Sequence, residues 1–105
     1  MIARTWHGVV PKAKSEAYLK YLNETGVKDY RSTAGNRGVF VLRRDEYHET
    51  HYLFISLWDS LESIREFAGE DVEKACYYPK DQDFLLELEP KAPHYQVVVQ
   101  EGDEL

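Results

Sequence analysis

Between His51 and Trp58 apolar side chains occupy both alternations of the chain, with Tyr52, Phe54 and Trp58 on one and Leu53, Ile55 and Leu57 on the other. Such a run of aromatic and β-branched residues without Gly or Pro predicts a strand, and its two apolar faces both need cover. Helices can supply one cover. A chain this short has no second layer to offer, so a second copy of the same sheet is the economical source of the other.

The remaining pattern sets the order of elements. Ile2 to Val10 alternates loosely and reaches Pro11, which suits the first turn of a helix. Ala13, Ala17, Tyr18, Tyr21 and Leu22 then recur at helical spacing, with Lys12, Lys14, Glu16, Lys20 and Glu24 opposite, and Gly26 is expected to close that helix. Lys28 to Arg37 has no clear period and contains Gly35-Asn36-Arg37-Gly38, which is turn chemistry. Val39 to Arg44 reads as a second strand, joined by a loop at Asp45–Glu49 to the doubly apolar strand. Asp59 and Glu62 form a candidate capping box before the stripe Leu61, Ile64, Phe67 and Ala68, and Gly69 ends it. A short turn from Asp71 carries Val72, Ala75 and Cys76 on one side and ends at Tyr77-Tyr78-Pro79. Lys80 to Pro93 is irregular around an apolar Phe84-Leu85-Leu86, and His94 to Gln100 is the last strand.

Strand, helix, strand, strand, helix, strand is the βαββαβ order of a ferredoxin-like α+β fold, whose first and third strands lie centrally. The expectation is therefore one domain over residues 1–105, with 101–105 a frayed acidic tail. Helices should cover one sheet face and a partner's sheet the other, giving a homodimer.

Composition narrows the partners. The 105 residues carry a formal charge of −6, which argues against nucleic acid or an anionic membrane surface, since both need clustered Lys and Arg. Cys76 is the sole cysteine, which excludes a disulfide framework or thiolate cluster and fits a reducing cytoplasm. No apolar run reaches the ~20 residues of a membrane span, and the N-terminus lacks a signal-peptide core, so an unprocessed chain is expected. Eight tyrosines exceed what so small a core requires and hint at an aromatic-lined cavity.

Candidate chemistry follows from alternation. Arg4, Trp6 and Gly8 share one face of the first strand, where Arg4 could meet a phenolate or carboxylate, Trp6 could stack on a ring, and Gly8 would leave a gap. The competing reading is core packing for Trp6 and a surface ion pair for Arg4. His7 falls on the opposite face and reads as a structural, hydrogen-bonded histidine. His94, at a strand end beside the irregular segment, is the candidate proton acceptor, whereas His48 and His51 read as surface. Tyr77 and Tyr78 could hydrogen-bond a substrate oxygen or simply cap the core. No zinc spacing, dinucleotide fingerprint or nucleophile-base pattern is present, so neither metal nor cofactor is expected from motifs.

Leu57-Trp58-Asp59-Ser60, the helix Leu61 to Phe67, the turn Gly69 to Ala75 and the strand-helix opening Ile2 to Leu22 together resemble the antibiotic biosynthesis monooxygenase family of dimeric α+β barrels, to about Val99. The resemblance implies oxygenation of a small electron-rich aromatic without metal or flavin, the substrate anion itself reacting with dioxygen. On that implication Arg4 and Tyr78 stabilise the anion, His94 accepts the proton, and Trp6, Trp58, Phe67 and Tyr77 form the walls. Where haem-degrading relatives place Asn, Trp and His, this chain aligns Trp6, Phe67 and Cys76, so haem degradation is not expected. The rival is a non-catalytic dimeric module that binds a small ligand.

Overall fold

A computed structural model describes residues 1–102 of the chain; Asp103, Glu104 and Leu105 of the expected tail lie outside the described residues. Strand β1 spans Ile2–Pro11, β2 Asn36–Glu46, β3 Glu49–Trp58 and β4 His94–Gln96, in the sheet order β2-β3-β1-β4. All pairings are antiparallel, and β1 and β3 are central as the βαββαβ order requires. Helices α1 (Ser15–Glu24), α2 (Gly26–Ser32), α3 (Leu61–Ala68) and α4 (Asp81–Phe84) complete the regular structure, with a single 3₁₀ turn at Lys12–Lys14. No helix is long and apolar enough to cross a membrane.

Alternation decides what is buried. Arg4, Trp6, Gly8 and Val10 of β1 and Thr50, Tyr52, Phe54, Ser56 and Trp58 of β3 point beneath the helices. There they meet Tyr18 and Leu22 of α1, Tyr30 of α2 and Ile64 of α3 in one predominantly aromatic core. Each large apolar side chain so buried contributes on the order of 1.5–3 kcal/mol. Leu53, Ile55 and Leu57 face the other side of the sheet, alongside Phe40 and Leu42, which are 39 % and 45 % exposed.

The structure corrects several boundaries. Gly26 does not end the first helical region; the break falls at Thr25, whose hydroxyl donates to the Tyr21 carbonyl at 2.8 Å, and α2 begins at Gly26. Strand β2 is longer than Val39–Arg44 and carries a bulge at Asn36/Gly38, while the loop shrinks to Tyr47-His48 with Tyr47 at φ +57°. The helix α3 cap is Ser60, which accepts from the Ser63 N–H, and Asp59 instead pairs with Arg37 at 2.5 Å. Leu61 is 45 % exposed and drops out of the apolar stripe. Strand β4 stops at Gln96 because, running antiparallel, it overshoots the start of β1: the Val97 N–H reaches the Met1 carbonyl and no strand remains beyond it.

The segment after α3 is held by backbone bonds rather than by a helix. Ala75 N–H donates to Pro90 O and Ala92 N–H to Glu73 O, tying the Asp71 turn to the end of the irregular segment. Gly35 is one glycine the fold demands: its φ is +90°, and a Cβ there would collide with Ser63 at the start of α3.

Candidate functional site

Arg4 organises the space between sheet and helices. Its position on central β1, opposite Ser56 of β3, carries the guanidinium inward, and the residue is 1 % exposed. No carboxylate among the described residues meets it. Nη1 donates to the Tyr30 phenol at 2.9 Å, Nη2 to the Lys74 carbonyl at 2.9 Å and toward Cys76 Sγ at 4.0 Å, and Nε has no partner among the described residues. The guanidinium also lies 5.4 Å from the Phe67 ring centroid, a cation–π distance. A buried cation balanced only by dipoles and a ring face is an incomplete arrangement, and an anion would complete it.

Beside this group lies a cavity of about 20 Å³ lined by Trp6, Leu22, Thr25, Gly26, Tyr30, Phe54, Phe67, Cys76, Tyr78 and Asp81. That volume suits about one water molecule. Tyr30, 4 % exposed, carries Arg4's polarisation to its wall: the phenol oxygen accepts from Arg4, leaving the hydroxyl proton available. Burial pushes the Tyr30 phenol up to about 12, with Arg4 pulling against it. Asp81, 3 % exposed, accepts from the Tyr18 hydroxyl at 2.8 Å and from the Tyr78 N–H at 2.6 Å. Burial raises its carboxyl above the usual range although both hydrogen bonds oppose the shift.

Trp6, Phe67 and Tyr78, expected as site residues, do line this cavity. Trp6 packs edge-on against Phe54 at 5.3 Å, and its own indole, with Leu85, occupies the space above Gly8, so the expected gap at Gly8 is already filled. The Tyr78 hydroxyl donates to Asp29 at 2.6 Å, and burial followed by that carboxylate raises its phenol. Trp58 stands behind the cavity, wholly buried, donating to Ser56 Oγ and packing on Tyr30 and Phe67. Tyr77 packs against the Trp6 edge and donates to the Glu89 carbonyl, facing a shallow surface cleft instead. His94 pairs with Arg4 across the β1–β4 ladder without lining the cavity. Burial and then Arg4's charge lower its pKa against Glu73, and its buried Nε2 has no partner among the described residues.

Tyr30 and Asp81 escaped the sequence reading. Val27 and Tyr30 at i, i+3 were a signal for α2, weakened by expecting Gly26 to be a stop. Asp81 falls in the irregular stretch Lys80–Pro93, where no pattern singles it out. On the open sheet face His7 is hydrogen-bonded as expected, but its partners include His51, which is not a plain surface residue. Among the described residues no group of three or more His, Cys, Asp or Glu converges to hold a metal ion.

Gly26 touches the cavity at close range: a Cβ would sit 3.4 Å from Phe54 and 3.9 Å from Tyr78. Gly26→Ala is expected to keep the fold, gain up to about 1 kcal/mol from helix propensity, and shrink the cavity. Thermal melting and ligand titration of the variant check both effects.

No family model matches the chain, and no curated protein matches it. Among solved structures, a provisionally named antibiotic biosynthesis monooxygenase from Bacillus cereus aligns at 13 % identity and TM-score 0.65, covering 99 % of this chain and 97 % of that one. Rv0793 from Mycobacterium tuberculosis aligns at 11 % identity and TM-score 0.62, over 97 % of this chain and all of that one. The likeness is one of fold, and it spans essentially the whole ferredoxin-like unit.

Proposed function

We propose that this chain is an antibiotic-biosynthesis-monooxygenase-like protein, a dimer that oxygenates a small electron-rich aromatic bearing an ionisable hydroxyl. The observation that carries the reading is Arg4, a buried guanidinium without a carboxylate whose charge reaches an aromatic cavity through the Tyr30 phenol. A phenolate there would meet a preorganised, water-poor donor, the environment in which electrostatic stabilisation is strongest. Arg4 acts through Tyr30, with Tyr78 on the opposite wall. Asp81 is the carboxylate lining the cavity; His94, its pKa lowered by burial and then by Arg4's charge, stands across the strand pair from Arg4. Trp6 and Phe67 flank the ring, while Trp58 and Tyr77 buttress them. In the overall step one atom of dioxygen replaces a ring hydrogen para to the hydroxyl and becomes a quinone C=O, the other leaves as water with that hydrogen and the hydroxyl's proton, and the substrate supplies the four electrons. The fold it shares with the Bacillus cereus protein supports this class, and the lone Cys76 fits a reducing, cytoplasmic setting.

An aromatic ring enters only if lining side chains move apart, since the cavity holds about 20 Å³. That small volume favours one alternative, a dimeric small-ligand module without chemistry. The test is to titrate planar phenols by tryptophan fluorescence and follow oxygen uptake. Saturable quenching with oxygen consumption and a quinone product supports the oxygenase. Quenching without turnover selects the binding module, and no quenching by any phenol overturns both.

A further inference from the structure

The cavity's other aromatic walls pack ring against ring: Trp6 on Phe54, and Tyr30 on Phe54 and Phe67. Tyr78 does not. Among the described residues its ring has no aromatic partner, and it is not one of the side chains packed on the core. One ring edge passes Gly26, where a Cβ would sit 3.9 Å from Tyr78 and 3.4 Å from Phe54. At the far end the hydroxyl donates to Asp29 at 2.6 Å, an exposed hydrogen bond.

The backbone below the ring is fixed. Tyr78 N–H donates to the Asp81 carboxylate at 2.6 Å, Asp81 N–H returns to the Tyr78 carbonyl at 2.9 Å, and Lys80 N–H donates to the Tyr21 hydroxyl at 3.0 Å. The movable part is therefore the side chain, which changes rotamer without disturbing the turn. It also has somewhere to go. Tyr78 and Asp81 border both the cavity and the surface cleft formed with Tyr77, Pro79, Gln82 and Leu88, a space of about 370 Å³. None of these residues belongs to the open sheet face around Ile55 and Leu57.

The cavity as it stands, about 20 Å³, takes about one water molecule and no ring. What is missing is the volume of one ring, and a phenol ring is what Tyr78 places beside Gly26. We propose that Tyr78 occupies the ligand's own seat: an incoming planar phenol takes its place against Gly26 and Phe54 when the side chain swings into the cleft, and the bond to Asp29 holds the closed form. The ligand's oxygen then points toward the Tyr30 hydroxyl. This seat presupposes that the cavity is the ligand site. As a wall, Tyr78 adds affinity; as an occupant it subtracts affinity, because apparent binding falls with the fraction of molecules whose seat is open.

Calorimetric titration with p-cresol, the tyrosine side chain as a free molecule, reads that sign. Tyr78→Phe keeps the ring and removes only its bond to Asp29; Kd is expected to fall roughly fivefold, the population factor of one lost hydrogen bond. Asp29→Ala should give the same gain, and the double variant no more than either, because each lacks the same bond. Tyr78→Ala, with the seat empty, should bind most tightly. Lys28→Ala, exposed on the same helix, should bind as wild type does. Binding in the variants where wild type shows none supports the seat equally. Unchanged or weaker binding in Tyr78→Phe, gains that add in the double variant, or a folded Tyr78→Ala that ignores p-cresol overturns it. Tighter binding in Tyr78→Phe without oxygen uptake refutes the oxygenase and keeps the seat. Oxygen uptake with an unmoved Kd in that variant removes the seat and keeps the oxygenase.

Discussion

Replacing Ile55 with Asp is expected to turn a species of twice the 12.3 kDa chain mass into monomer or unfolded chain, as read by light scattering. Ile55 lies on the open face with Phe40, Leu42 and Leu57, beside Met1, Val97 and Val99, around a depression whose walls are almost wholly apolar. Face-to-face packing of two such sheets would remove this surface from water, and a charge placed in its centre would be desolvated without a partner, at several kcal/mol. Gln96→Asp, on the β4 edge opposite Ile2 and on the other face of the sheet, should leave the mass unchanged. A wild-type chain that stays monomeric at micromolar concentration removes the dimer from the proposal.

The second large effect concerns Arg4, where stability and binding should part company. Arg4→Met nearly keeps the volume and removes a buried charge that has no counter-ion among the described residues, so its melting temperature is expected to stay near the wild-type value or rise. Phenol-induced quenching should be lost in the same protein, because nothing then polarises Tyr30. Arg4→Ala opens a void beneath Phe67 and Tyr30 and is expected to cost about 2–4 kcal/mol. Calorimetry and fluorescence titration on the two variants separate these outcomes, and undiminished phenol affinity in Arg4→Met excludes the guanidinium from the site.

The central pair of strands was legible because side chains alternate with a period of two, and that period puts Arg4 and Trp6 on one face; that the helices cover this face is a matter of tertiary packing that the period does not decide. The helix α2 was not legible: only Val27 and Tyr30 mark its buried side, and Gly26, which ordinarily signals a stop, serves there for close approach to Phe54. Asp81 joins the cavity through the fold of the Tyr78–Asp81 turn, a tertiary placement that its polar neighbours do not announce. The pairing of His7 with His51 depends on register, and that of Glu89 with His7 on a segment that has no periodicity at all. What the chain conceals is mostly what irregular segments carry to the sheet.

That arrangement also decides how the sheet ends. Strand β4 covers β1 only from Ile2 to Arg4; beyond it Pro93 takes the Thr5 N–H, Leu86 reaches Val9, and the chain between them arcs outward. Half of a central strand is thus closed by a loop instead of a neighbour. A proteolytic cut between Glu87 and Lys91 would loosen this cover and expose part of the flank of β1 between Thr5 and Val9 as a template for a foreign strand. The guard on this edge of β1 is therefore a stretch of chain that contributes little to the core.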